Sequence, residues 1–350
     1  MFLSWVSEID ILEYYFGLGG GIPPYRAKTP WLKANRAIGY PLLAFWVKEL
    51  FTIFKVLLII NFIPKMLFEK IFGVLPHSLI YFLGSIFGHL AYLFMGKRKK
   101  IAQANLDLIF QGRLTKKEKR YILKQNLKKI CVGFLELIRC LYLSGCNKYI
   151  KIKGEEHLKE VFDKKNGVVI VGAHIGNFPL MCVFLAQRGY PIAVIAKDPH
   201  SPILAKFIQR IKKRSKITFI DATDIHAPRL ALKWLKQGGI LYLQLDQNAP
   251  KHKAMIDFFG HSVPTYKSPV VLSQKTGAAV LPMFIVSESN HQTIYIEKPF
   301  TLKNAGKKDQ DIYENLTSLM KVIESYVRRY PTQWWWWHRR FKEHIDYERL

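Results

Sequence analysis

Gly167-Val168-Val169-Ile170-Val171-Gly172-Ala173-His174-Ile175-Gly176-Asn177-Phe178-Pro179 is the stretch on which the reading of this chain turns. Its apolar, β-branched opening has the length and composition of a fully buried strand. The run stops at His174. Glycine and asparagine then suit a tight turn, and the apolar segment beyond can begin a helix. One imidazole therefore stands at the carboxyl end of a central strand, the edge at which open α/β sheets bind ligands. A lone histidine in such a place is more often a core residue bonded to backbone. The pattern of the whole chain moves the balance towards function.

From about residue 150 strands and helices alternate. The predicted strands are Val168–Ala173, Pro191–Ala196, Ile217–Ile220, Ile240–Leu245, Ala278–Val286 and Thr293–Ile296. Leu180–Arg188, Pro202–Arg214 and Pro228–Gln237 read as the helices between them, and Asp311–Arg329 as a final amphipathic helix. Such alternation gives an α/β fold, with a mostly parallel central sheet flanked by helices.

The first part of the chain is different. Gly19-Gly20-Gly21 and Pro23-Pro24 mark loop within residues 1–40. Leu50 to Leu67 is apolar and about long enough to cross or enter a bilayer, with Lys48, Glu49 and Lys55 near its start able to snorkel. A second apolar run, Ile71 to Met95, is broken by Pro76, Gly84 and Gly88, which favours a core helix lying against the membrane over a second span. Residues 1–70 are thus assigned to an N-terminal segment with a membrane-anchoring helix, and 71–350 to one catalytic-sized domain. Lys97-Arg98-Lys99-Lys100 follows directly, as basic clusters do beside anionic headgroups; a solvated charge run has the same composition. Thr115 and Glu118 have capping-box spacing ahead of a long amphipathic helix, on which Glu136 and Arg139 stand three apart and could pair.

The 350 residues carry 53 Lys+Arg against 26 Asp+Glu, a net charge of +27. That excess calls for an anionic partner: nucleic acid, an anionic membrane or an acidic carrier protein. Hydrophobic residues make up 49% and aromatics 14%, so a membrane is the better guess. No zinc-finger, basic-zipper or aromatic RNA-binding signature is present, and nucleic acid is set aside. Cys131, Cys140, Cys146 and Cys182 form no C-x-x-C pair; buried, reduced thiols and no metal site are expected, in a cytosol-facing domain. The tail Gln333-Trp334-Trp335-Trp336-Trp337-His338-Arg339-Arg340-Phe341-Lys342 suits a membrane interface or a phosphate-rich headgroup, or else a packed tryptophan cluster with solvated arginines.

Several separated stretches together resemble one family. Leu75-Pro76, Leu83-Gly84, Arg98, Asn105-Leu106, Glu136 and Arg139 lead to Gly172-Ala173-His174-Ile175-Gly176-Asn177-Phe178. Leu245-Asp246-Gln247, Phe258-Phe259-Gly260, Thr276-Gly277-Ala278-Ala279-Val280 and the tail Gln333 to Lys342 follow in order. From about residue 45 onward the chain is similar to the late acyltransferases of lipid A biosynthesis, the lauroyl/myristoyl transferases of the lysophospholipid acyltransferase superfamily.

The resemblance implies a glycerolipid acyltransferase-like, single-span enzyme at the cytoplasmic face of the cell inner membrane. It would move a fatty acyl chain from acyl carrier protein or coenzyme A to a hydroxyl of a glycolipid such as a lipid A precursor, without a cofactor. His174 would be the general base, a role typically worth ~10²–10⁴-fold in rate. The family usually carries a carboxylate five residues later. Here that position is Pro179, and Asp246 is the substitute partner, unless it only caps a turn. Backbone N–H groups near Gly176 and Asn177, or Lys197 where the family often has arginine, would stabilise the oxyanion. Gln247, Arg339 and Arg340 complete the expected substrate contacts. The competing reading is a non-catalytic relative that binds lipid or carrier protein, motivated by Pro179.

Overall fold

The computed structural model describes residues 75–142, 146–197, 209, 211–249, 253–288 and 291–350. The predicted anchor Leu50–Leu67 lies outside the described residues, as does most of the predicted helix Pro202–Arg214.

Three helices open the described chain: α1 (His77–Phe94), α2 (Gly96–Ile109) and α3 (Lys116–Tyr142). Helix α1 is long and apolar enough to cross a membrane, and only 22% of it is buried inside the protein. Its buried stripe is Ile80, Gly84, Gly88 and Tyr92, at helical spacing. The two glycines let α1 lie almost backbone to backbone on α3. A Cβ on Gly88 would stand 2.4 Å from the Lys128 Cα, and one on Gly84 2.7 Å from the Val132 Cα. Sequence reading took the glycines for helix breaks; they are the contact surface of one unbroken helix. The start of α3 is set by the expected capping box: Thr115 N–H donates to Glu118 Oε2 at 2.8 Å, and Glu118 N–H returns to Thr115 Oγ1 at 3.2 Å. Glu136 and Arg139 do not pair. Glu136 accepts from Gln292 Nε2 at 2.8 Å and lies 3.1 Å from His77 Nε2, while the Arg139 guanidinium sits over the Tyr149 ring.

The sheet that follows is α/β and mostly parallel. Its strands are β1 (Ile150–Lys153), β2 (Val168–Gly172), β3 (Ile192–Ala196), β4 (Thr218–Asp221), β5 (Ile240–Gln244), β8 (Ala279–Glu288) and β9 (His291–Ile296). They lie in the order β1-β9-β8-β2-β5-β3-β4. Every pairing is parallel except β8 with β9. A separate antiparallel hairpin, β6 (Lys253–Phe258) and β7 (His261–Tyr266), was not predicted. Nor was β1, whose four residues alternate Ile and Lys with half-buried periodicity too short to stand out.

The remaining helices are α4 (Glu155–Asp163), α5 (Phe178–Gln187), α6 (Ala227–Lys236), α7 (Ser268–Thr276) and α8 (Lys308–Arg329). Strand β2 is buried along its whole length, as its continuous apolar run required. Val169 and Val171 point into the core that holds α7, α8 and the tail tryptophans; Val168 and Ile170 point into the one that holds α5. Each face of the sheet thus has its own apolar layer, and β2 is central to both.

The thiols meet expectation only in part. Cys131 and Cys182 are free, and burial pushes both up to about 12. Cys140 is disulfide-bonded, which no C-x-x-C pattern announced. Cysteine usage therefore gives no support to a reducing, cytosol-facing setting.

Candidate active site

The register of β2 on β5 assembles the site. Gly172 is paired with Gln244, so the residues two beyond each, His174 and Asp246, leave neighbouring strands at the same carboxyl edge. Asp246 Oδ1 lies 2.8 Å from His174 Nδ1. Its other oxygen, Oδ2, accepts the backbone N–H of His174 at 2.8 Å and the indole N–H of Trp334 at 2.8 Å. Both partners are buried, His174 6% and Asp246 2% exposed.

Burial disfavours charge on His174 and lowers its pKa below the usual histidine value, against the pull of Asp246. The same burial works to raise Asp246, but the attraction and hydrogen bonds of His174 and the Trp334 N–H outweigh it and hold the carboxyl near about 2. The pair at neutral pH is a neutral imidazole and a carboxylate. Nδ1 then carries the proton towards Asp246, and Nε2 presents a lone pair. The ring meets Phe178 edge-on at 5.4 Å, and Phe178 stacks on Tyr242 at 5.9 Å.

The turn after His174 is shaped by close packing. Gly176 has φ +58°, and a Cβ there would fall 1.9 Å from the Ile285 carbonyl oxygen. Its N–H donates to Gln333 O at 2.9 Å. Asn177 caps α5 by accepting from Leu180 N–H at 3.4 Å, and its Nδ2 donates to Gly133 O at 2.7 Å. Pro179 stands in the first turn of α5, where its missing N–H costs little. Of the expected backbone oxyanion donors of this turn, the Gly176 N–H is thus already engaged inside the protein.

Lys197 is exposed just past β3, on the same sheet edge, with its charge felt by Asp221. Gln247 follows Asp246 directly; its carbonyl accepts from Arg340, and its Nε2 is buried without an acceptor among the described residues. Arg339 is partly exposed and paired with Glu348. Arg340 is completely buried: it donates to Gln247 O, Asn248 Oδ1, Pro264 O and Thr265 Oγ1. Burial lowers it to about 10.

The tail tryptophans are core, not interface: Trp334 to Trp337 are each at most 4% exposed. Two buried asparagines hold this segment. Asn126 of α3 donates to Thr332 O and Trp334 O and accepts from Trp337 Nε1; Asn105 of α2 donates to Trp336 O and His338 O. Ile175 forms a β-bridge with Trp334, and Trp335 N–H donates to His174 O at 3.0 Å. Sequence reading gave Trp334 no part in the His174–Asp246 pair, because its contact with Asp246 spans 88 residues.

The family described as bacterial lipid A biosynthesis acyltransferase matches residues 56–343. The chain is 26% identical over 275 residues to the lipid A biosynthesis palmitoleoyltransferase of Escherichia coli (strain K12), covering 77% of this chain and 86% of that one. It is 25% identical over 274 residues to the lauroyltransferase of the same strain, covering 77% and 87%. A Haemophilus influenzae lipid A biosynthesis acyltransferase matches at 24% over 280 residues, covering 78% and 87%. With a histidine and an aspartate just past the ends of adjoining parallel strands, inside a match that spans most of the chain, this protein is a member of the bacterial lipid A biosynthesis acyltransferase family.

Proposed function

We propose that the protein is a membrane-bound O-acyltransferase. It moves a fatty acyl chain from an acyl thioester to a hydroxyl of a lipid A-type glycolipid, with His174 as general base and Asp246 as its partner. The observation that carries this reading is the buried His174–Asp246 pair at the carboxyl edge of β2 and β5.

The acceptor oxygen attacks the thioester carbonyl as His174 Nε2 takes its proton. Asp246 stabilises the imidazolium that forms and keeps Nδ1 protonated, without itself taking the proton. The tetrahedral oxyanion collapses, the C–S bond breaks, and the imidazolium returns a proton to the departing sulfur. Lys197 and the unengaged amide of Gln247 are the groups offered to substrate; Gly176, Asn177 and Arg340 act by holding the site in shape. The departure at Pro179 is met by Asp246, which supplies the carboxylate.

Residues 1–70, with Leu50–Leu67 as anchor, and the apolar α1 with the basic Lys97–Lys100 cluster hold the enzyme to an anionic membrane, the basic side inward. The net charge of +27 favours an acidic carrier protein over coenzyme A as donor. Transfer should then be faster from the carrier, with an advantage that shrinks as salt rises. The decisive test is acyl transfer to a lipid A precursor by purified wild-type protein and His174→Ala, with both donors. Loss of transfer in His174→Ala supports the reading; near-normal transfer overturns it.

A further inference from the structure

The geometry points to Trp334 as the positioning residue for the catalytic pair: its indole N–H fixes the Asp246 carboxylate, and through it the imidazole of His174. The inference rests on the acyl-transfer reading above. Of the three donors facing Asp246, two belong to His174 itself. Trp334 is the donor that ties the carboxylate to something else. Without it Oδ2 would keep only the His174 backbone N–H among the described residues, and the carboxylate would be held by the very residue it is meant to orient. A buried oxygen that loses a donor costs more than the hydrogen bond itself was worth.

Trp334 is well placed for this role because it is itself immobile. Its ring packs edge-on against Phe258 at 5.9 Å and Trp336 at 4.7 Å. Its backbone is gripped from both sides, by Asn126 through Trp334 O and by the bridge to Ile175. The flanking residues Gln333 and Trp335 bond Gly176 N–H and His174 O. Residues 333–335 thus form a strap across the His174 turn, and the indole is the point at which the strap touches the charge. A tryptophan that only fills the core would not need its one bond to the acid.

Two variants separate packing from donation. Trp334→Phe keeps an aromatic ring and removes the N–H. Trp334→Gln removes the ring and keeps a neutral N–H at similar reach. Loss of a neutral donor concentrates charge on the carboxylate, which then holds the imidazolium more tightly, so His174 should titrate higher. For folded Trp334→Phe, kcat should drop at least about ten-fold, with KM within about two-fold, as expected for a hydrogen bond to a charged group. The acidic limb of its kcat/KM profile should move up, and Trp334→Gln should recover part of the lost rate. The His174 titration followed by NMR in substrate-free protein reads the same coupling without turnover, and should also move up in Trp334→Phe. An unmoved or lowered titration in Trp334→Phe overturns the proposal whatever the rate does, and so does wild-type kcat. If His174→Ala still transfers acyl groups, the general-base role of His174 fails separately, and the NMR titration of the wild type and Trp334→Phe still decides whether Trp334 governs the pair.

Discussion

Asp246 grips His174 twice, through Oδ1 at the ring and through Oδ2 at the backbone N–H, each at 2.8 Å. A carboxylate can do both because each oxygen only accepts. In Asp246→Asn one of the two positions becomes an NH2 group. Facing the ring, it forces the proton from Nδ1 to Nε2, so the imidazole can no longer act as a base; facing the backbone, it opposes another donor. We expect Asp246→Asn to lower kcat at least about ten-fold, within the range spanned by general-base catalysis. Steady-state acyl transfer with folding checked by circular dichroism would show it. Near-normal kcat would mean that Asp246 is no partner of the base.

The lowered pKa of His174 sets a second expectation. A histidine that stays neutral in the folded protein but takes a proton when unfolded makes the fold less stable as pH falls below the unfolded value of about 6.5. Asp246 works lower down: its contribution is complete above about pH 4 and is lost as pH falls towards about 2. Denaturation midpoints in detergent should therefore decline from pH 6.5 downward. The decline between pH 6.5 and 5 should be shallower in His174→Gln. An equal slope in both proteins would place the titrating group elsewhere.

Gly84 and Gly88 should tolerate nothing larger. A methyl group at either would meet the backbone of α3, which cannot move aside as a flexible side chain can. Gly84→Ala or Gly88→Ala should cost about 1–3 kcal/mol, the usual range for overpacking. Thermal melts of the purified protein would show a lowered midpoint. An unchanged melt would mean that α1 is not seated on α3 as described.

Arg340 separates structure from substrate binding. Its guanidinium satisfies oxygens from four residues, in a geometry that a lysine ammonium cannot reproduce. Arg340→Lys should reduce folded yield and stability by about 2–4 kcal/mol, as expected when several buried acceptors lose their donor. The residual folded fraction should bind donor and acceptor with near-normal KM. A large rise in KM with unchanged stability would return Arg340 to the substrate.

The outward side of α1 carries Phe82 and Leu93, 59% and 65% exposed. Phe82→Asp with Leu93→Asp should weaken membrane association without changing soluble-phase folding. High-salt washing alone should not release the wild type, because salt screens charge and leaves apolar insertion intact. Quantitative release by salt would remove both α1 and the Leu50–Leu67 segment from the anchoring account.

The sheet was legible because β2, β5 and β8 are buried on both faces and so read as unbroken apolar runs. The pair was legible for a related reason: each strand ended in a titratable residue, His174 and Asp246, and parallel neighbours put such ends together. What sequence could not give was anything dependent on contacts across long separations. Trp334 and Arg340 looked like surface chemistry by composition, yet burial and hydrogen bonds make them parts of the interior. Gly84 and Gly88 looked like interruptions because spacing does not say what packs against a missing side chain.

The strap of residues 333–335 has a consequence for synthesis. The strand carrying His174 leaves the ribosome first, Asp246 follows 72 residues later, and Trp334 arrives 88 residues after that. A nascent chain therefore already carries both His174 and Asp246 while the indole N–H that bonds the carboxylate is still unmade. On the reading proposed above, a translation product that stalls short of Trp334 has its acid and imidazole but lacks the indole that braces them.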